Sequence, residues 1–367
     1  MMDGLQIETV ATAALSDADR AAWLALRAAD PRLESPYHHP DYHALVDRHQ
    51  GGGQLSLARR DGTLVAVLPW QGGRFARPSG MPMSDYHGVI GMDVPVATLL
   101  ARQPVGAFHF SAMPDPEGEP TARIAFESAD TWRAAQGGSY RRHLKSTRRR
   151  IRKAEDEIGA PRVVVQSRDI DAYRTLIAWK RDKFAETGKF DVLANPGTSG
   201  LLRELWERGT EAGLRCDLHA LYFGDRLAAC DLGLTDGHVF HSWIVGYDSD
   251  LLPYAPGIQL LEGVIDHGPA LGYRVIDLGP GLDGYKRHYA SHPRHVGGGV
   301  ITLPGAAGVA AATYQRLEDA LRERTDDALG KLRRRYSQIA ACETAGGARA
   351  RALLDAVGGE LRRRRSA

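Results

Sequence analysis

Apolar positions recur at helical spacing in some stretches of the chain and alternate in others, and the two rhythms divide it into helices and strands. Residues 17–29 (DADRAAWLALRAA) predict a first helix, with Trp23, Leu24 and Leu26 on its apolar side and Asp17 as its N-cap. A short helix is expected after Pro40, through Tyr42, Leu45 and Val46, ended by three glycines at 51–53. Strands over 55–59 and 64–70 flank an Asp61-Gly62 turn, a strong hairpin signal. Weaker strands are expected near 88–91 and 106–111, and residues 114–120 (PDPEGEP) read as a surface loop or linker.

From Tyr140 the rhythm turns helical. Tyr140, Leu144, Thr147, Ile151, Ala154 and Ile158 follow one another at three or four residues and share a face. A strand over 163–166 and helices over 170–187 and 198–212 follow. Three strands come next, at 217–223, 227–234 and 239–245, separated by Gly-Asp and Asp-Gly turns as in an antiparallel meander. A loop at 248–256 leads to a helix over 257–271, Gly272 closes it, and 275–278 form a further strand. After Pro304 the tail is expected to be mostly helical and ends in the basic run 362–365. The segment RRDGTLVAVLPW (59–70) resembles FGDRLAACDLGL (223–234), with Leu64 over Leu227, which suggests two copies of one α/β unit.

Composition narrows the class. At 367 residues the chain is long enough for two domains. It is 43% hydrophobic and 25% charged, so a real core is expected and wholesale disorder is not. A net charge of +2 supplies no global field for a polyanion, so any basic partner site must be a local patch. The three cysteines, Cys216, Cys230 and Cys342, form no CxxC pair and suit a reducing compartment. No signal pattern opens the chain and no apolar run reaches membrane-helix length, so a cytoplasmic protein is expected.

The run from His238 to Lys286 carries the candidate chemistry: strand, loop, helix, strand, then GLDGYKRHYA. Pro256-Gly257 opens its helix, and a helix start exposes backbone N–H groups that can cradle phosphate. The turn is either a pyrophosphate site for a CoA-like donor or an ordinary Pro-Gly helix entry. His38, His39 and His43, with Asp41, fit no standard metal spacing, and no metal is expected. Arg141, Arg142, Lys145, Arg148, Arg149, Arg150, Arg152 and Lys153 crowd one helix, where an anionic lipid surface or a carrier protein could dock; tRNA is less expected, because no RNA-binding fingerprint accompanies the patch.

The stretches 140–155, 176–193, 221–234, 240–265 and 273–290, with SDYHG at 84–88, resemble the CelD/BcsL-like acyltransferases. That family is related to the FemAB-type aminoacyl transferases. The resemblance implies an α/β (α+β) protein with tandem GNAT-like domains, mixed and mostly antiparallel sheets, and a helical C-terminal tail. It places a degenerate GNAT-like half at 1–134, an acyltransferase half at 135–305 and a basic extension at 306–367. It implies acyl transfer from acyl-CoA, as co-substrate, to an amine or hydroxyl of a small-molecule, glycan or lipid-linked acceptor, in cell-envelope or exopolysaccharide metabolism. Only Gly257 remains of the usual glycine-rich pyrophosphate loop, so acyl carrier protein and aminoacyl-tRNA stay open as donors, as does a catalytically inactive binding module.

Acyl transfer needs a base, oxyanion donors and a proton for the leaving group. His241 is the expected base, Asp277 orients substrate or pairs with Lys286, Lys286 binds an anionic group or steadies charge, and Tyr285 protonates the leaving thiolate. Donor contacts are expected from Val245, Tyr254, Pro256, Gly257 and Ile258, and acceptor contacts from Asp85, Tyr86, Trp179, Lys180 and Trp243. Asp231, although it interrupts an apolar strand, is expected to face solvent, and Cys230 to be core.

Overall fold

The computed structural model describes residues 4–306, 308–310 and 312–313. Nearly all of the expected extension over 306–367, including the basic run 362–365, lies outside the described residues.

The first half contains β1 (Leu5–Ala11), α1 (Asp17–Ala29), α2 (Pro40–Gln50), β2 (Gly53–Arg60), β3 (Thr63–Gly72), β4 (Phe75–Pro78), β5 (Ile90–Gly91) and α3 (Val96–Leu99). The long β6 (Ala107–Ala125), α4 (Ala129–Ala135) and α5 (Gly138–Glu157) lead into the second half. There follow β7 (Pro161–Val164), α6 (Ile170–Thr187), α7 (Pro196–Glu207), β8 (Arg215–Phe223), β9 (Arg226–Thr235), β10 (Val239–Tyr247), α8 (Pro256–His267), β11 (Val275–Pro280) and β12 (His295–Thr302).

The halves repeat one plan of a strand, two helices and a three-stranded meander. In each, the last meander strand then pairs in parallel with a later strand: β4 with β6, and β10 with β11. Leu64 and Leu227 are the second residues of the equivalent strands β3 and β9, in keeping with their sequence match. The sheet order β1-β2-β3-β4-β6-β11-β10-β9-β8-β7 joins the halves through the antiparallel β6–β11 pair, Ile124 opposite Ile276.

Local signals account for most boundaries. Ser16, rather than Asp17, caps α1, its side chain accepting from Asp19 N–H. Gly51, with φ of 71°, closes α2, and Gly188 ends α6 in the left-handed conformation that glycine adopts cheaply. The expected loop at 114–120 is instead part of β6. His295 pairs with Pro120 and its neighbour Val296 with Pro114, so five residues between the prolines bow out of the ladder.

One apolar core welds the halves together. Tyr37, Tyr42 and Leu45 of the first half pack with Leu201, Leu205, Trp206 and Leu232 of the second. Trp243 lies against the same cluster, and its indole N–H donates to Met83 O across the junction at 2.9 Å. Helix α6 covers one face of β9–β10 and α8 the other.

Candidate active site

Strands β10 and β11 pair in parallel at Val239–Val275, Phe240–Ile276 and His241–Asp277, and there the pairing ends. Against β9, Ser242 pairs with Gly233 but Ile244 with Leu232, so Trp243 is an extra residue. Such a bulge bends a strand and re-aims its side chains. The two strands therefore part immediately beyond His241 and Asp277.

At the fork sits a buried charge cluster. His241 is fully buried; its Nε2 bonds Asp85 Oδ2 at 2.7 Å, and its Nδ1 lies 3.6 Å from Asp277 Oδ1, a charge contact longer than a hydrogen bond. Burial alone would lower the imidazole's pKa, but Asp277 and Asp85 outweigh it and raise it to about 9. Flanked by two carboxylates, His241 favours its protonated form, which weighs against its expected role as the base.

Asp277 Oδ1 accepts from Tyr86 O–H at 2.7 Å and Gly279 N–H at 2.8 Å, and its Oδ2 lies 3.4 Å from Arg123 Nε. Burial opposes its ionisation, yet His241, Arg123 and Tyr86 hold its pKa below the usual carboxylate value. Arg123 pairs with Glu34, which also meets Arg294 at 2.7 Å. The result is a chain of alternating charge, Asp85, His241, Asp277, Arg123, Glu34, Arg294, threaded between the halves. The expected Asp277–Lys286 pair does not form: Lys286 Nζ donates to Pro280 O at 3.1 Å, because Asp277 is enclosed by His241, Tyr86 and Arg123. Lys286 still closes on the fork. A Cβ placed on Gly279 would lie 3.8 Å from Lys286 Nζ, 3.8 Å from His241 Cε1 and 3.9 Å from Asp85 Oδ2.

Asp231, on β9 opposite Val245, is 5% exposed rather than solvent-facing. Its Oδ2 accepts from Ser242 O–H at 2.7 Å, while its Oδ1 is buried without a partner. Burial raises its pKa to about 7, against the pull of Ser242, His241 and Lys180. A buried carboxylate oxygen without a partner is costly in a fold. Lys180, from α6, approaches Val245 O at 3.5 Å; burial lowers its pKa, Lys189 adds to this, and Asp231 and Asp85 oppose it. Tyr285, 36% exposed, has its phenol raised to about 12, by burial first and then by Asp231 and Tyr247.

The remaining expected residues divide. Trp179 and Trp243 pack on the joint core, Trp179 beside Gly246. Tyr86 and Asp277 line a 530 Å³ cavity between the halves, whereas Asp85, next along the chain, turns the other way to His241. His38 lines that cavity with both ring nitrogens unpartnered, and burial holds its pKa at about 4. Among the described residues no cluster of three His, Cys, Asp or Glu could hold a metal ion.

Beyond β10, the short 3-10 turn Ser249–Tyr254 leads to α8. Ala255 there adopts φ 53°, ψ 54°, costly for alanine, and no side chain caps the helix. Pro256 has no N–H, and the Ile258 and Gln259 amides bond Ala255 O, which leaves the Gly257 amide for a ligand. The Ile258 amide is thus already engaged within the helix start. Tyr254's hydroxyl donates to Glu157 at 2.6 Å and Lys153 sits 5.5 Å over its ring, so it ties the turn to α5.

Residues 141–287 match the family model of the acetyltransferase (GNAT) domain. A search of curated proteins finds no match. Among solved structures the chain is similar to FemX, with a TM-score of 0.52 at 10% identity over 84% of this chain and 99% of that one. It is similar to a conserved protein of unknown function from Bacteroides thetaiotaomicron, with a TM-score of 0.50 at 10% identity over 82% and 100%. A tandem GNAT protein from the clavulanic acid biosynthesis pathway also aligns, with a TM-score of 0.46 at 11% identity over 82% and 99%. The forked β10–β11 pair lies inside the segment that matches the acetyltransferase (GNAT) domain model, and the fold repeats the GNAT plan in tandem.

Proposed function

We propose that this protein moves an acyl group from a thioester donor, acyl-CoA in the simplest case, to an amine or hydroxyl acceptor, directly within a ternary complex. The observation that carries the reading is the fork itself: parallel pairing stops at His241–Asp277, and ionisable groups converge on the gap. The donor's pantetheine arm lies between β10 and β11, and the open Gly257 amide at the α8 N-terminus meets its phosphate.

Backbone N–H groups of β10 at the Trp243 bulge polarise the thioester carbonyl. Asp231, poised near neutrality with a free Oδ1, takes the acceptor's proton as the nucleophile attacks the carbonyl carbon. The C–S bond breaks, and Tyr285, a neutral phenol at pH 7, gives its proton to the departing thiolate and regains one from water. His241 and Lys286 supply positive charge at the fork, and Asp277 holds His241 in place. No cysteine among the described residues serves as an acyl carrier, since Cys216 and Cys230 are both buried and free.

The two halves, 1–134 and 135–305, would hold the acceptor between them, and the CelD/BcsL-like resemblance favours a cytoplasmic role in cell-envelope or exopolysaccharide metabolism. Calorimetric titration with acetyl-CoA and a long-chain acyl-CoA tests the donor. One-site binding weakened at least tenfold by Gly257→Asp is expected. A Cβ at Gly257 meets only Tyr247 Cδ1, at 3.6 Å, so the variant should fold. Absence of binding to either CoA thioester overturns acyl-CoA as the donor.

A further inference from the structure

Helix α5 carries eight Lys and Arg against three Asp and Glu, in a chain whose net charge is only +2. The surplus is local, and it is not neutralised. Among the described residues, Lys153 alone of the eight has an ion pair, with Glu157 at 3.8 Å. Arg141, Arg142, Lys145, Arg148, Arg149, Arg150 and Arg152 have none.

The position of α5 gives this charge a meaning. Its two ends touch the two lips of the fork. At one end His143 stacks on His288, 4.7 Å between ring centroids, in the short turn that contains Lys286 and follows β11. At the other, Lys153 and Glu157 hold Tyr254, in the turn that follows β10. Arg142, Arg149 and Lys153 lie on the stripe that runs between those contacts. A second stripe, Arg141, Lys145, Arg148 and Arg152, lines a 520 Å³ groove against Arg133 and Ala134 of α4. At about 1.5 Å per residue, its four cations span roughly 16 Å of helix. That is longer than one phosphate needs and matches one face of an acidic helix.

We propose that α5 is the docking surface for a small acidic carrier protein that presents the acyl group on a phosphopantetheine arm. The proposal rests on the thioester reading above and names its donor. A carrier brings the same arm to the β10–β11 gap, but most of its affinity comes from protein contact. The spare phosphate turn, with one open amide at Gly257, then suffices. Two apolar side chains stand exposed beyond β10: Leu252, at 53%, in the 249–254 turn that α5 packs against, and Tyr247, at 38%, at the end of the strand. Charge around an apolar anchor is the make-up of a protein interface. A duplex or folded RNA would ask for a broader patch with stacking aromatics, and among the described residues no exposed aromatic lies in the α5 groove.

The test compares one acyl group on two donors, palmitoyl-CoA and a purified acidic acyl carrier protein loaded with palmitoyl-phosphopantetheine. Binding is measured at about 50 and about 300 mM salt, a range over which surface charge contacts weaken, for the wild type and for Lys145→Glu/Arg148→Glu, two changes at exposed positions of the groove stripe. The proposal expects the loaded carrier to bind at least tenfold tighter than palmitoyl-CoA at low salt. The double variant should lose tenfold or more for the carrier and less than twofold for palmitoyl-CoA, and high salt should reproduce that selective loss. Equal carrier binding by wild type and variant overturns the proposal. So does binding of palmitoyl-CoA without the carrier, which leaves the thioester reading standing. Binding of neither donor removes both. If the double variant loses tRNA or phosphatidylglycerol-vesicle binding while keeping the carrier, α5 serves a different polyanion and the proposal fails.

Discussion

Replacing Asp277 by asparagine keeps the side chain's size and its acceptor oxygen, so Tyr86 O–H and Gly279 N–H can still be satisfied. What disappears is the negative charge between two buried cations, His241 and Arg123. The His241 pKa stands at about 9 against 6.5 for an ordinary histidine. At about 1.4 kcal/mol per unit, that difference corresponds to about 3 kcal/mol of native-state stability, shared between Asp277 and Asp85. Leaving a buried charge short of a partner costs about 3–5 kcal/mol. A loss of about 2–4 kcal/mol at about pH 6.5 is therefore expected for Asp277→Asn. The sign follows from linkage. A raised pKa gives stability that is full below pH 6.5 and fades as pH climbs through about 9. The deficit of the variant should accordingly shrink by about pH 9.5, where wild-type His241 has lost most of its charge. Urea unfolding followed by tryptophan fluorescence at the two pH values measures it. A variant as stable as wild type at the lower pH, or one with the same deficit at both, refutes the charge-chain account.

Asp231→Asn should lower kcat by about 10²–10⁴ and remove the acid limb of the pH–rate profile, which in the wild type rises through about pH 7 as the carboxyl ionises. Tyr285→Phe should lower kcat by about tenfold or more while leaving donor affinity near wild type, read as a KM-against-kcat split. Trp243→Ala removes a large side chain and the bond to Met83 O across the junction, and should cost about 3 kcal/mol in urea unfolding.

The order of elements is legible in the sequence because each depends on local signals. The helix expected over 170–187 is α6, and the Asp61-Gly62 and Gly224-Asp225 turns fix both hairpins. β6 is not legible beyond its first residues. Its prolines and Gly118 look like a loop, and the β12 strand that holds it lies far along the chain, with His295 opposite Pro120. The site shows the same division. His241, Asp277 and Lys286 stand out as polar residues in or after apolar strands. The charge on His241 does not, because Asp85 is 156 positions distant and pairs with it only through the joining of the halves. The expectation of a solvent-facing Asp231 fails because alternation along β9 tells which residues share a face but not whether that face is covered. The Trp243 bulge, which splits the strands, leaves no mark in composition; it exists only in the register of β10 against β9.

Hydrogen exchange with and without saturating acetyl-CoA tests the central claim most directly. If the thioester arm enters the fork, protection should rise in β10 beyond His241, at 242–247, and at 278–281 at the end of β11, while the equivalent strand β4 at 75–78 stays unchanged. Protection confined to the first half, or no change at 242–247 under saturating donor, contradicts it.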